Sequence, residues 1–118
     1  FGGTIHAYEF ADENAPSVLP AEPSFPLGAA HASDLAFIWA EPGDDHLTPA
    51  QEELSARMVA YWSNFARRGD PNGTGLPAWP AYGDGDPLSL APGAIAPADL
   101  DAEHGCGFWR RVWAGAGG

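Results

Sequence analysis

The sequence predicts an α/β chain that holds one part of a sheet-and-helix layer and lacks the remainder. Residues 4–10 have the β-branched and aromatic content of a strand, and residues 49–68 have the apolar spacing of a long amphipathic helix. Between and after them lie proline-rich stretches that exclude regular structure of any length.

Taken in order, Thr4-Ile5-His6-Ala7-Tyr8-Glu9-Phe10 puts Thr4, His6, Tyr8 and Phe10 on one face and Ile5, Ala7 and Glu9 on the other. The apolar content of both faces suits a strand buried in part on both sides. From Ala11 to Ala30 the chain passes Pro16, Pro20, Pro23, Pro26 and Gly28, so a long irregular connection is expected. Connections of that length in compact domains are often functional. Ser33 or Asp34 then caps a short helix through Leu35, Phe37, Ile38 and Trp39, which the turn Glu41-Pro42-Gly43-Asp44-Asp45 ends. His31 falls on the loop just before that helix.

The helix over 49–68 carries its own start and stop signals. Thr48 is the N-cap, Pro49 suits the first helical position, and Gln51 completes a capping box with Thr48. Leu54, Met58, Tyr61, Trp62 and Phe65 share one face. Arg67 and Arg68 lie in the last turn, where the helix dipole favours cations, and Gly69 suits a left-handed terminus. Asp70-Pro71-Asn72-Gly73 reads as a tight turn without the oxygen ligands of a calcium loop. Prolines and glycines keep the following stretch irregular apart from a short strand at Leu88-Ser89-Leu90. A last helix is expected from near Asp99 to Trp113, weakened at Gly105 and Gly107, with Phe108, Trp109, Val112 and Trp113 packed inward.

Composition narrows the function classes. The 118 residues suffice for one domain, and 45% hydrophobic with 12% aromatic residues is globular composition. No apolar run is long enough for a membrane span. Sixteen acidic residues against five arginines and no lysine give a formal charge of −11, which repels phosphate backbones and argues against a nucleic-acid partner. The missing lysine reads as coding bias. Cys106 is the only cysteine, so no internal disulfide forms. His104 and Cys106 are one close pair without a second, which is too little for a metal site, and no cofactor is expected. His6 reads as a packed strand residue and His46 as part of a surface turn.

The elements also look incomplete. A single good strand leaves backbone donors and acceptors on both edges, and Tyr61, Trp62, Trp109 and Trp113 ask for cover that a few helices cannot all supply. The first residues, Phe1-Gly2-Gly3-Thr4, show no methionine, basic n-region or apolar h-region, so the chain is expected to start in the middle of something longer. More polypeptide, most simply the rest of the same protein, is the expected partner.

One stretch is distinctive: Tyr61-Trp62-Ser63-Asn64-Phe65-Ala66-Arg67-Arg68-Gly69-Asp70-Pro71-Asn72-Gly73, then Leu76-Pro77-Ala78-Trp79-Pro80-Ala81-Tyr82. Before it come Tyr8-Glu9-Phe10 and Gly28-Ala29-Ala30-His31-Ala32-Ser33-Asp34-Leu35-Ala36-Phe37-Ile38, and after it His104-Gly105-Cys106-Gly107-Phe108-Trp109. In order and spacing these segments resemble the type B carboxylesterases, which include the cholinesterases and bacterial p-nitrobenzyl esterases. The resemblance covers nearly the whole chain and about the last quarter of a family member.

It implies an α/β-hydrolase fold, of which residues 1–118 are a carboxyl-terminal part and not a complete domain, with the strand at 4–10 as its last long strand. It also implies that His31 is the histidine of a catalytic triad. Many members have glycine after this histidine, where this sequence has Ala32; some bacterial relatives share the alanine. A neutral imidazole at that place takes the proton of a serine nucleophile and returns it to the departing alcohol. The serine elbow Gly-x-Ser-x-Gly is absent: none of the six serines, Ser17, Ser24, Ser33, Ser55, Ser63 and Ser89, is so framed. The nucleophile, the acidic member and the oxyanion segment are therefore expected upstream of Phe1, and the 118 residues alone are expected to be inactive. Asp34 is expected to cap its helix and not to replace the missing acid. Hydrolysis of small carboxylic esters is the favoured reading. A non-catalytic binding or adhesion member of the same fold and an inert truncated piece are the alternatives. Localisation is not readable from the chain.

Overall fold

The computed structural model describes residues 3–17, 24–39, 47–83 and 85–116. The expected turn at 41–45, His46, Pro20, Pro23 and the last two residues lie outside these. Among the described residues the elements are β1 (Tyr8–Phe10), α1 (Leu35–Ile38), α2 (Pro49–Arg68), β2 (Leu88–Ala91), β3 (Ala94–Pro97), α3 (Leu100–Glu103) and α4 (Cys106–Gly115).

The long helix α2 follows its local signals to the residue. Thr48 accepts the Gln51 backbone N–H, the Gln51 side chain accepts the Thr48 backbone N–H at 2.8 Å, and Gly69 closes the helix with φ 73°. Leu54, Met58 and Tyr61 are buried, whereas Phe65 at the same stripe's far end is exposed. The turn after α2 packs back onto it. Asn64 donates to the carbonyls of Pro71 and Asn72, and a β-carbon on Gly73 would lie 2.7 Å from the Asn64 amide nitrogen. A β-carbon there would push the Asn64 amide away from these two carbonyls.

A three-stranded sheet forms in the order β1-β2-β3, a correction to the expectation of a single good strand with both edges open. β1 and β2 are parallel with Tyr8 opposite Leu88, and β2 and β3 are antiparallel with Leu90 opposite Ile95. The second strand of this hairpin was not expected, because Pro92 and Pro97 read as breakers. Pro92 and Gly93 (φ 72°) instead fill the two turn positions, where a fixed negative φ followed by a positive one is required. Pro97 ends an edge strand, where a missing N–H costs no ladder bond. The strand expected over 4–10 is shorter as a ladder. The Ile5 carbonyl accepts the Tyr82 N–H, and the Ala7 carbonyl accepts both the Leu88 N–H and the Trp79 indole N–H, so this stretch is held largely by the 79–82 loop.

Phe37, Leu54, Met58, Tyr61, Trp79, Leu88 and Leu90 form the core between α1, α2 and the sheet. Trp79 is its hub. Its ring meets Tyr61 edge-on at 5.2 Å, Tyr8 at 5.8 Å and His6 at 6.0 Å. The last helix is two, broken at His104-Gly105, and its apolar face is not packed inward as expected. Phe108 and Trp113 are 54% and 71% exposed, because among the described residues no element lies against α4 except α3. Among these residues no helix is long and apolar enough to cross a membrane.

Candidate active site

His31 lies in a turn of residues 31–34 that leads directly into α1. Local bonds shape this turn: Ala30 N–H to the Gly28 carbonyl at 2.9 Å, Ser33 N–H to Ala30 at 3.1 Å and Leu35 N–H to Ala32 at 3.1 Å. Ala32 is the one non-glycine residue among those described with positive φ, at 69°. That conformation brings a β-carbon against the following carbonyl and costs about 1–2 kcal/mol. A glycine at this place would be free of that strain. Strained backbone persists where its surroundings over-determine it.

The surroundings do so here. Ser33, next to Ala32, is buried, and Phe37 is fully buried in the core. The Ser55 hydroxyl of α2 donates to the Phe37 carbonyl at 2.7 Å, fixing α1 on α2. The stretch entering the His31 loop is held by a buried polar knot. The Asp12 carboxylate accepts the Asn14 N–H at 2.9 Å and the Gln51 amide at 2.7 Å, and the same amide reaches the Asn14 carbonyl at 3.0 Å. Gln51 thus uses its oxygen for the helix cap and its nitrogen for the loop. Sequence reasoning found the first role and missed the second, since Asp12 lies 39 residues away and no local pattern links them.

The imidazole of His31 is exposed, and among the described residues no hydrogen bond engages it. Asp34 corrects the expectation of a helix cap. It occupies the N-cap position of α1, but its side chain makes no capping bond and instead accepts the Tyr8 hydroxyl at 2.9 Å. Burial, followed by this bond and the Asp34 charge, pushes the Tyr8 phenol up to about 12. Asp34 is not hydrogen-bonded to His31 either. An open cleft of about 500 Å³ runs along the loop, with Glu13, Ser17, Phe25, Leu27 and Ser33 in its lining.

The other histidines are placed differently. His6 is half-buried, with Nδ1 3.1 Å from the Pro80 carbonyl and its ring edge-on to Phe65. His104 is brought to Glu9 (Nε2–Oε1 2.8 Å) and near Glu103, with the ligand atoms of all three within 4.8 Å. Cys106 does not join this group. His104 and Glu103 are exposed, and the His104–Glu9 pair is an ordinary surface contact between β1 and the end of α3.

Comparison with known proteins identifies the fold in which this turn is set. Residues 2–109 match the model of the carboxylesterase family. The chain is 33% identical to the acetylcholinesterase of Gallus gallus over 93% of its length and 14% of that protein. It is 36% identical to the human cocaine esterase over 92% of its length and 20% of that protein. A crystal structure of a carboxylesterase from Geobacillus stearothermophilus superposes with a TM-score of 0.60 at 28% identity, covering 86% of this chain and 21% of that one. The chain belongs to the carboxylesterase family, and its sheet and helices are part of an α/β-hydrolase fold. It spans about a fifth or less of the length of these relatives.

Proposed function

We propose that the 118 residues are the carboxyl-terminal part of a serine carboxylesterase domain and that His31 is its general base. The observation that carries this reading is the His31 turn. An exposed imidazole that no hydrogen bond engages among the described residues stands beside a strained backbone position, Ala32, in a turn fixed by the core through Phe37. Of the three described histidines, His6 and His104 are each engaged with a protein acceptor, and only His31 is free to meet a group from outside.

The chemistry follows from the family. The imidazole takes the proton of a serine hydroxyl as its oxygen attacks the ester carbonyl. The tetrahedral intermediate collapses to an acyl-enzyme as the imidazolium protonates the departing alcohol. A water, deprotonated by the same imidazole, then releases the acid and restores the serine. A carboxylate on the second ring nitrogen and amides facing the oxyanion complete the site. The serine, the carboxylate and the oxyanion amides are assigned to polypeptide of the same protein outside these residues. The coverage of the relatives supports that assignment, as does the absence of a glycine-framed serine here.

Labelling of the full-length protein with a fluorophosphonate, mapped by peptide mass, tests this reading. The expected adduct is on a serine other than the six present here, with labelling at least about a thousandfold slower in His31→Ala. An adduct on one of the six serines, or an unchanged rate in His31→Ala, contradicts it.

A further inference from the structure

Between the aromatic core and the His31 turn there is one side-chain bridge. Among the described residues, the Tyr8–Asp34 hydrogen bond at 2.9 Å is the only hydrogen bond that joins residues 28–34 to a distant part of the chain. Every other bond of the turn is local. The Tyr8 ring is itself fixed. It meets Trp62 edge-on at 5.0 Å and Trp79 at 5.8 Å. Trp79 in turn is held by its indole N–H on the Ala7 carbonyl at 2.9 Å and by its backbone N–H on the Asn72 side chain at 2.7 Å. Asp34, three residues from His31, has the position of a helix cap and caps nothing. Among the described residues its carboxylate serves Tyr8 alone.

We infer that Tyr8 and Asp34 are positioning residues for His31: their hydrogen bond ties the strained turn to the Trp62–Trp79 wall and so fixes where the imidazole stands. The inference rests on the reading of His31 as the base. Neither residue touches the reacting atoms. The aromatic stretch Tyr61–Tyr82 contributes by holding Tyr8 through Trp62 and Trp79. The opposing strain at Ala32 (φ 69°) is what makes the tether matter, because a turn in a high-energy backbone state relaxes when a restraint is removed. Displacement of a catalytic group by about 1 Å is enough to cost up to a hundredfold in rate.

The test is steady-state hydrolysis of a p-nitrophenyl ester by the full-length protein and four variants. Tyr8→Phe removes only the hydroxyl and is expected to lower kcat about ten- to a hundredfold with KM within about twofold. Asp34→Ala is expected to match it, and Asp34→Asn to recover most of the loss, because an amide oxygen still accepts the Tyr8 hydroxyl. The double variant Tyr8→Phe/Asp34→Ala is expected to lose no more than either single one. A kcat for Tyr8→Phe within about twofold of the parent overturns the inference, as do equal damage in Asp34→Asn and Asp34→Ala or losses that multiply in the double variant. If Tyr8→Phe does not fold, the comparison of Asp34→Asn with Asp34→Ala decides alone. His31→Ala, run beside them, separates the two claims. Loss of turnover in His31→Ala with normal Tyr8→Phe removes the tether and keeps the base, whereas normal turnover in His31→Ala removes the base.

Discussion

Helices α2 and α4 both carry an aromatic and aliphatic stripe, and the fold treats them in opposite ways. On α2, Leu54, Met58 and Tyr61 are no more than 2% exposed, closed over by α1, Trp79 and the sheet. On α4, Phe108, Trp109, Val112 and Trp113 are 41–71% exposed, and among the described residues the aromatic rings of this face meet only one another. Periodicity in a sequence states which face of a helix is apolar. It does not state what covers that face. For α2 the cover is a tryptophan 17 residues beyond Trp62, held by the side chain of Asn72, and for α4 we assign it to the polypeptide that the longer relatives possess.

The comparison can be broken by substitution. In the 118-residue chain, Trp79→Ala is expected to cost about 3–5 kcal/mol by denaturant unfolding, and Trp113→Ala less than about 0.5 kcal/mol. Similar costs for the two would mean that α4 has a partner inside this chain. A cost for Trp113→Ala that rises to roughly 2 kcal/mol in the full-length protein would place its cover there.

Gln51→Ala comes next in size. It removes a helix-cap partner and leaves the Asp12 carboxylate buried without its amide donor, so a loss of about 1–3 kcal/mol is expected. A loss below about 0.5 kcal/mol would show that the knot between the loop and α2 does not hold the His31 loop in place.

The one expected gain is at the His31 turn. At Ala32, glycine relieves the left-handed clash of about 1–2 kcal/mol and returns part of it as unfolded-chain entropy. Ala32→Gly should raise the unfolding free energy by about 0.5–1 kcal/mol. A decrease would mean that the turn is not strained at this residue.

Legibility in the sequence followed the range of the forces involved. Helix α2, with Thr48, Gln51, Pro49 and Gly69, was readable because each of its signals acts within four residues. The β2–β3 hairpin was not, because Pro92 and Pro97 are breakers in a central strand and acceptable in a turn and at an edge; which applies depends on the neighbours. Strand β1 was readable in kind, but its ladder shrinks because residues 5–7 are bonded to the loop at 79–82. Asp34 was misread for a related reason: a cap is a local choice, and the Tyr8 hydroxyl, 26 residues back, outcompetes the backbone for its carboxylate. The proposal for His31 came only from the resemblance of the segments around it. Nothing in its own neighbourhood distinguishes a catalytic imidazole from a surface one, whereas the strain at Ala32 appears only in the folded backbone.

The most direct test of the account is the kcat/KM of His31→Ala toward a p-nitrophenyl ester, measured on the full-length protein beside its melting temperature. The account predicts a fall of at least about a thousandfold with the melting temperature within a few degrees of the parent, because the exposed imidazole takes no part in the core. A variant that folds normally and keeps its kcat/KM within about tenfold of the parent would contradict it, and the proton transfer would have to be assigned to another residue.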